Sequence, residues 1–341
     1  MDKNSKIYIA GHTGLVGSAL ARALQKQGFS NLAYRTHTEL DLTRQQEVND
    51  FFAQEKPEYV FLAAAKVGGI MANNTQPAEF IYKNLMIQSN VIEAAYRSGV
   101  KKLLFLSSAC VYPRECPQPM KEEYLLTGPF EPTNEPYAIA KVAGLNLCRS
   151  YNRQYGTNFI SVIPINLYGI NDNFDPAASH VIPGIMRRFH EAKVSRLPEV
   201  SVWGTGIAVR EFMLSDDLAD ACLFLMEHFN PAKEENERGE MYMNAGSGQG
   251  ISIRELTELI KKVVGFEGSI AWDASKPDGM PKKLLDSSRL HAMGWKHHVD
   301  LEKGLQMLYQ WYIKSHSEAA AEESRLGGRT NATLDPSLRS G

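Results

Sequence analysis

The 341-residue chain carries 37 Lys and Arg against 39 Asp and Glu, a net charge of −2, with 43% hydrophobic and 22% charged residues. This is a globular composition in a chain too long for one small core, so one large domain or two sharing a cleft are expected. Balanced charge excludes a general nucleic-acid binder, and no apolar run reaches the roughly 18 residues of a membrane helix; even residues 61–72 are broken by Lys66.

Met1-Asp2-Lys3 leads almost directly into a strand-like run, so no signal peptide is expected. Four cysteines without CxxC spacing suggest neither a disulfide framework nor a zinc site, and the nine histidines include no HExxH. The expected setting is the reduced cytoplasm, with no metal, membrane or nucleic-acid partner.

Residues 6–10 (KIYIA) read as a buried strand, followed by Gly11-His12-Thr13-Gly14-Leu15-Val16-Gly17 and a helical period to about Gln27. A second strand is expected at 31–35, then a helix capped by Thr43 and running to Glu55. Further strands at 59–64, 102–107 and 159–164 alternate with helices at 84–98 and from just after Pro136 to about Tyr155. This alternation predicts an α/β fold, a Rossmann-type doubly wound parallel sheet, over about residues 1–170.

Beyond Gly169 the rhythm loosens, with helices expected near 181–192, 215–228 and 252–264, a strand at 201–203, and hinges at Pro183-Gly184, Gly204 and Gly246/Gly248. Residues 171–315 read as a smaller α/β substrate-binding domain, some of whose segments return to the main sheet. Residues 316–341 turn Ala/Glu-rich and then polar without periodicity, a composition equally suited to natural disorder and to an appended foreign tail.

GxxGxxG between a strand and a helix sets backbone amides and the positive helix end against a phosphate. Gly11 permits the tight turn, Gly14 the close approach, and Gly17 close packing of the helix. After the second strand, Arg35-Thr36-His37 precedes any acid, the first being Glu39, which favours a 2′-phosphate and hence NADP over NAD. Tyr137 and Lys141 stand at i and i+4 on one helical face, and Ser108 stands at a strand's carboxyl end, where open α/β sheets bind ligands. A tyrosine of pKa ~10 is a poor acid at neutral pH, and a neighbouring ammonium is expected to lower it.

Together these residues resemble the extended short-chain dehydrogenase/reductase family, whose members act on nucleotide sugars. Residues 64–74 (AAKVGGIMANN), 131–141 (EPTNEPYAIAK) and 166–174 (NLYGINDNF) are more specific. They resemble the branch that epimerises and reduces GDP-linked 4-keto sugars, over residue 6 to about 312. The resemblance implies conversion of GDP-4-keto-6-deoxy-D-mannose to GDP-L-fucose by C3/C5 epimerisation and NADPH-dependent reduction at C4, in a homodimer. The alternatives are a 5-epimerase-4-reductase of a GDP-dideoxy ketosugar and a non-catalytic NADP sensor on the same fold.

Related dehydratases carry a glutamate two positions after the strand-end Ser or Thr, where this chain has Cys110. The resemblance assigns Cys110 and His180 to epimerisation, and Tyr137, Lys141 and Ser108 to reduction. Two groups of near-neutral pKa on opposite faces of a ketosugar suit the inversion of acidified C–H centres. The resemblance also implies cofactor contacts along residues 11–17, at Arg35 and His37, at Leu106, Ser107, Ser108 and Ala109, at Lys141, at Pro164, Ile165, Asn166 and Leu167, and at His180. The GDP moiety falls to Arg188, Trp203, Arg210 and Asp278, with Lys283 a further candidate. Thr13 and His37 stand where family members carry arginines for the 2′-phosphate, so a weaker NADP preference is expected.

Overall fold

The computed structural model describes residues 1–176, 179–276 and 279–330, with Ile70 and residues 316–330 as backbone only. Twelve strands are present among them: β1 (Ile7–Ala10), β2 (Leu32–Ala33), β3 (Tyr59–Leu62), β4 (Lys102–Leu106), β5 (Phe159–Pro164), β6 (Asn166–Tyr168), β7 (Glu199–Trp203), β8 (Val209–Leu214), β9 (Tyr242–Ala245), β10 (Gly250–Ser252), β11 (Ser269–Asp273) and β12 (Lys282–Lys283). The main sheet runs β2-β1-β3-β4-β5-β9, with every pair parallel. Its strands are continuous apolar runs because helices cover both faces, and Ile7, Ile9, Phe61, Leu104 and Ile160 are fully buried.

The chain steps outward from β1 to β2, then returns to the other side of β1 with β3. Two crossovers therefore diverge there, and a crevice opens at the carboxyl ends of β1 and β3. The remaining strands form smaller units in which β8 pairs with β6, β10 and β12, and β7 with β11. A second core built from Phe189, Val202, Leu214, Leu256, Ile260 and Leu305 supports them.

Several local expectations change. The helix expected to begin at 84 starts at Pro77 and runs to Arg97. Proline is preorganised for a first turn and needs no N–H there, while polar Glu79 and Lys83 hide the apolar period. Thr43 is not a cap: its hydroxyl donates to Asp41 Oδ1 at 2.8 Å, and the helix Gln45–Glu55 begins after Arg44. Pro183-Gly184 is no hinge either, since both lie within the first turn and a half of the helix Val181–Val194, where proline removes no needed bond. The last helix, Leu301–Thr330, continues past residue 316, where the change in composition had placed the start of a tail.

Candidate active site

Gly11 ends β1 in the left-handed region at φ +85°, and a Cβ there would lie 2.8 Å from Ala64 Cα at the end of β3. Only glycine lets these two strand ends approach so closely. Gly17 serves the loop rather than the sheet: a Cβ on it would lie 2.0 Å from the Gly11 carbonyl oxygen. Gly14 precedes the helix Leu15–Lys26, whose first amides therefore face the crevice. These amides and the Cβ-free approach over Gly14 fit a dinucleotide pyrophosphate.

A cleft of about 820 Å³ opens here. Its walls include Gly11, Thr13, Gly14, Leu15, Val16, Gly17, Arg35 and His37 from the first two crossovers, and Leu106, Ser107, Ser108 and Ala109 from the end of β4. Tyr137, Lys141, Pro164, Ile165, Asn166, Leu167, His180, Arg210 and Lys283 complete the predicted residues that line it. His12 turns its ring onto Tyr34, with centroids 4.9 Å apart. Arg35 is held by Glu55 and by the Tyr34 carbonyl, both at 2.6 Å, with its guanidinium over the Phe51 ring.

Tyr137 and Lys141 project from the helix Glu135–Tyr155, which is bound to the helix Pro77–Arg97 through Gln88 Nε2 donating to the Ala140 carbonyl at 2.6 Å. Phe80 meets the Tyr137 ring edge-on, with centroids 6.2 Å apart. The Lys141 ammonium lies 5.7 Å from the Tyr137 ring centroid and donates to the Leu106 carbonyl at 2.8 Å. Burial lowers its pKa to about 8. Tyr137 corrects the expectation of a lowered pKa: burial dominates and holds its hydroxyl above the ordinary value, so it keeps its proton.

Ser108 precedes a short 3₁₀ turn, Ala109–Val111, and its Oγ accepts from the Cys110 N–H at 3.4 Å. That turn places Cys110 behind the cleft wall, only 7% exposed. The thiol is not near neutral: burial raises its pKa, while the Lys283 and Lys141 ammoniums pull it back down. His180 stands at the N-terminal boundary of the helix Val181–Val194 and lines the cleft, where loss of hydration lowers its pKa and favours neutral imidazole.

The expected GDP-binding residues divide. Arg210 and Lys283 are register partners on β8 and β12 and both line the cleft. Arg188 lies outside its wall and donates to the Ser201 carbonyl at 3.1 Å, while Trp203 is 61% exposed at the end of β7. Asp278 falls outside the described residues.

Other wall residues were not anticipated: Asp41, Thr43, Ala64, Lys66, Asn73 and Phe212 among them. Ala64 carried a signal, as a small residue at a strand's carboxyl end. Lys66 lies in the 64–74 run that carries the resemblance, but its place in the wall depends on Asn84, whose side chain bonds both its N–H (3.0 Å) and its carbonyl (2.9 Å) from 18 residues away.

Comparison with known proteins agrees with this geometry. Residues 7–242 match the model of the NAD dependent epimerase/dehydratase family. The chain is 59% identical to GDP-L-fucose synthase 1 of Arabidopsis thaliana over 314 residues, covering 92% of this chain and 95% of the relative. It is 54% identical to GDP-L-fucose synthase of Escherichia coli (strain K12) over 311 residues, covering 91% and 97%. The structure of a GDP-L-fucose synthetase from Naegleria fowleri bound to NADP superposes with a TM-score of 0.83 at 28% identity, covering 93% of this chain and 96% of that one. The match over residues 7–242 and these identities show that the chain belongs to the NAD dependent epimerase/dehydratase family.

Proposed function

We propose that this enzyme converts GDP-4-keto-6-deoxy-D-mannose to GDP-L-fucose, inverting C3 and C5 and reducing C4, with NADP(H) as cofactor. The observation that carries the reading is one cleft whose walls hold the glycine loop, Ser108, Tyr137, Lys141 and His180, with Cys110 directly behind Ser108. A non-catalytic sensor has no use for that convergence.

The 4-keto group makes the C3 and C5 hydrogens acidic. Cys110 and His180 divide the proton transfers, one removing the proton from the carbon and the other delivering one to its opposite face; Ser108 and Tyr137 hold the enolate oxygen by hydrogen bonds. The Lys283 and Lys141 charges favour the thiolate against the cost of burial. When bound, NADPH supplies the hydride for C4. Tyr137 then gives its proton to O4, and the Lys141 ammonium stabilises the phenolate left behind. Loop amides over residues 11–17 would hold the pyrophosphate, and Lys141 the nicotinamide ribose, with the nicotinamide end beside Pro164 and residues 165–167. Arg210 and Lys283 would take the GDP diphosphate, with Arg188 and Trp203 further out towards the guanosine.

The 6-deoxy and 3,6-dideoxy ketosugars, offered separately with NADPH, test the substrate. A higher kcat/KM for GDP-4-keto-6-deoxy-D-mannose is expected, and the reverse order would favour the dideoxy reading.

NADPH is expected to surpass NADH by a modest margin, because Arg35 is the principal cation near the adenosine ribose, where Thr13 and His37 replace arginines. Arg35→Ala should lower kcat/KM for NADPH about tenfold, a loss of about 1.4 kcal/mol, and leave NADH use unchanged. Equal efficiency of both cofactors in the wild type would contradict a 2′-phosphate site.

A cytoplasmic homodimer completes the reading. All four cysteines are free, and among the described residues no helix is long and apolar enough to cross a membrane. The helices Pro77–Arg97 and Glu135–Tyr155 expose Tyr82 (61%), Ile139 (39%) and Tyr155 (46%), apolar surface suited to a two-fold pairing. Light scattering should give about twice 38.1 kDa at micromolar concentration; the monomer mass would contradict the pairing.

A further inference from the structure

Glu211 has no exposed surface, yet it carries a carboxylate and lies between two cleft-lining residues of β8, Arg210 and Phe212. Strand alternation sends its side chain to the opposite face. There Oε1 accepts from the Gly248 N–H at 2.7 Å and the Ser247 hydroxyl at 3.4 Å, while Oε2 accepts from the Leu285 N–H at 2.8 Å. Its own carbonyl accepts from Asn166 Nδ2 at 2.8 Å. One residue thus joins the turn between β9 and β10, the segment after β12, and the Asn166 side of the cleft. The fit is close, since a Cβ on Gly246 would lie 2.2 Å from Oε1. Burying a carboxylate is costly unless it accepts several hydrogen bonds, and these bonds bind loops rather than a counter-ion.

Lys283 is the register partner of Arg210, and Leu285 follows it by two residues. We propose that Glu211 is a positioning residue for the Arg210–Lys283 pair: by anchoring Leu285 to β8 it fixes the spacing of two cations around the substrate's diphosphate. This rests on the reading that those cations bind the diphosphate.

Glu211→Gln exchanges one acceptor for an NH₂ group that cannot receive an N–H, so one of the two anchors is lost while shape is kept. Gly246→Ala presses on the same carboxylate from the other side, and carries the same test should the Gln variant not fold. Calorimetry with GDP as the probe, with NADPH as control, reads the effect. The expected result is GDP Kd and ketosugar KM raised about tenfold, with NADPH Kd within about twofold and kcat within about threefold of wild type. Adding Arg210→Ala to Glu211→Gln should cost less than Arg210→Ala costs alone, since the first change has already displaced that cation. Unaltered GDP affinity in both variants, or parallel loss of GDP and NADPH affinity, would overturn the positioning role. If Arg210→Ala by itself leaves GDP affinity unchanged, the diphosphate reading fails instead.

Discussion

Tyr137→Phe should slow C4 reduction by about 10²–10⁴-fold, the range associated with losing a positioned general acid. NADPH binding should persist, because the ring still meets Phe80 and the hydroxyl is not a principal cofactor anchor. The raised pKa of Tyr137 matters here. A buried phenol that holds its proton is a ready donor across neutral pH, so the tyrosine itself sets no alkaline limit to wild-type activity. That limit falls to Lys141, whose pKa is pushed down to about 8. As pH rises through that value the ammonium loses its charge, phenolate stabilisation is withdrawn, and the rate of reduction should fall. Stopped-flow oxidation of NADPH with saturating ketosugar measures both effects. Near-normal rates in Tyr137→Phe would remove the tyrosine from the acid role.

Cys110→Ser should lose most epimerisation while keeping the reductase set intact. The substitution preserves size, but replaces a thiol of ordinary pKa about 8.5 with a far weaker acid. The site is already demanding: burial raises the Cys110 pKa, and nearby ammoniums only partly offset this. A hydroxyl there has no accessible anionic form, so solvent exchange at C3 and C5 should fall to near background. Slow turnover is expected, with prematurely reduced, uninverted sugar among the products. Nuclear magnetic resonance of the products in deuterated water checks this. Wild-type exchange and inversion at both carbons would make Cys110 a packing residue, as buried free cysteines commonly are.

Much of the cofactor half was legible because its determinants are local. β1, the glycine loop and the helix after it are one continuous stretch, and β5 appeared at its full extent because a strand buried on both faces is simply apolar. The Tyr137–Lys141 spacing and the position of Ser108 were likewise set within single elements. What escaped was long-range. β9 joins the main sheet beside β5 some 80 residues later, and only tertiary pairing fixes which distal segment returns. Lys66 and Glu211 act through partners remote in sequence, Asn84 in one case and Leu285 in the other. The Tyr137 and Cys110 pKa directions depended on burial, which a motif does not reveal; sequence spacing named the neighbouring ammonium and missed the larger cost of desolvation. Arg35 was visible as a cation, but its pairing with Glu55 required the fold to bring the last residue of the helix Gln45–Glu55 to it from 20 residues away.

Turnover of GDP-4-keto-6-deoxy-D-mannose by the wild-type enzyme with NADPH in deuterated water reports epimerisation and reduction together in one product. The expected product is GDP-L-fucose bearing solvent deuterium at C3 and C5, and the cofactor's protium at C4, with one NADPH oxidised per sugar. A reduced GDP-sugar of unchanged C3 and C5 configuration without deuterium, or NADPH left unoxidised, would contradict the proposed function.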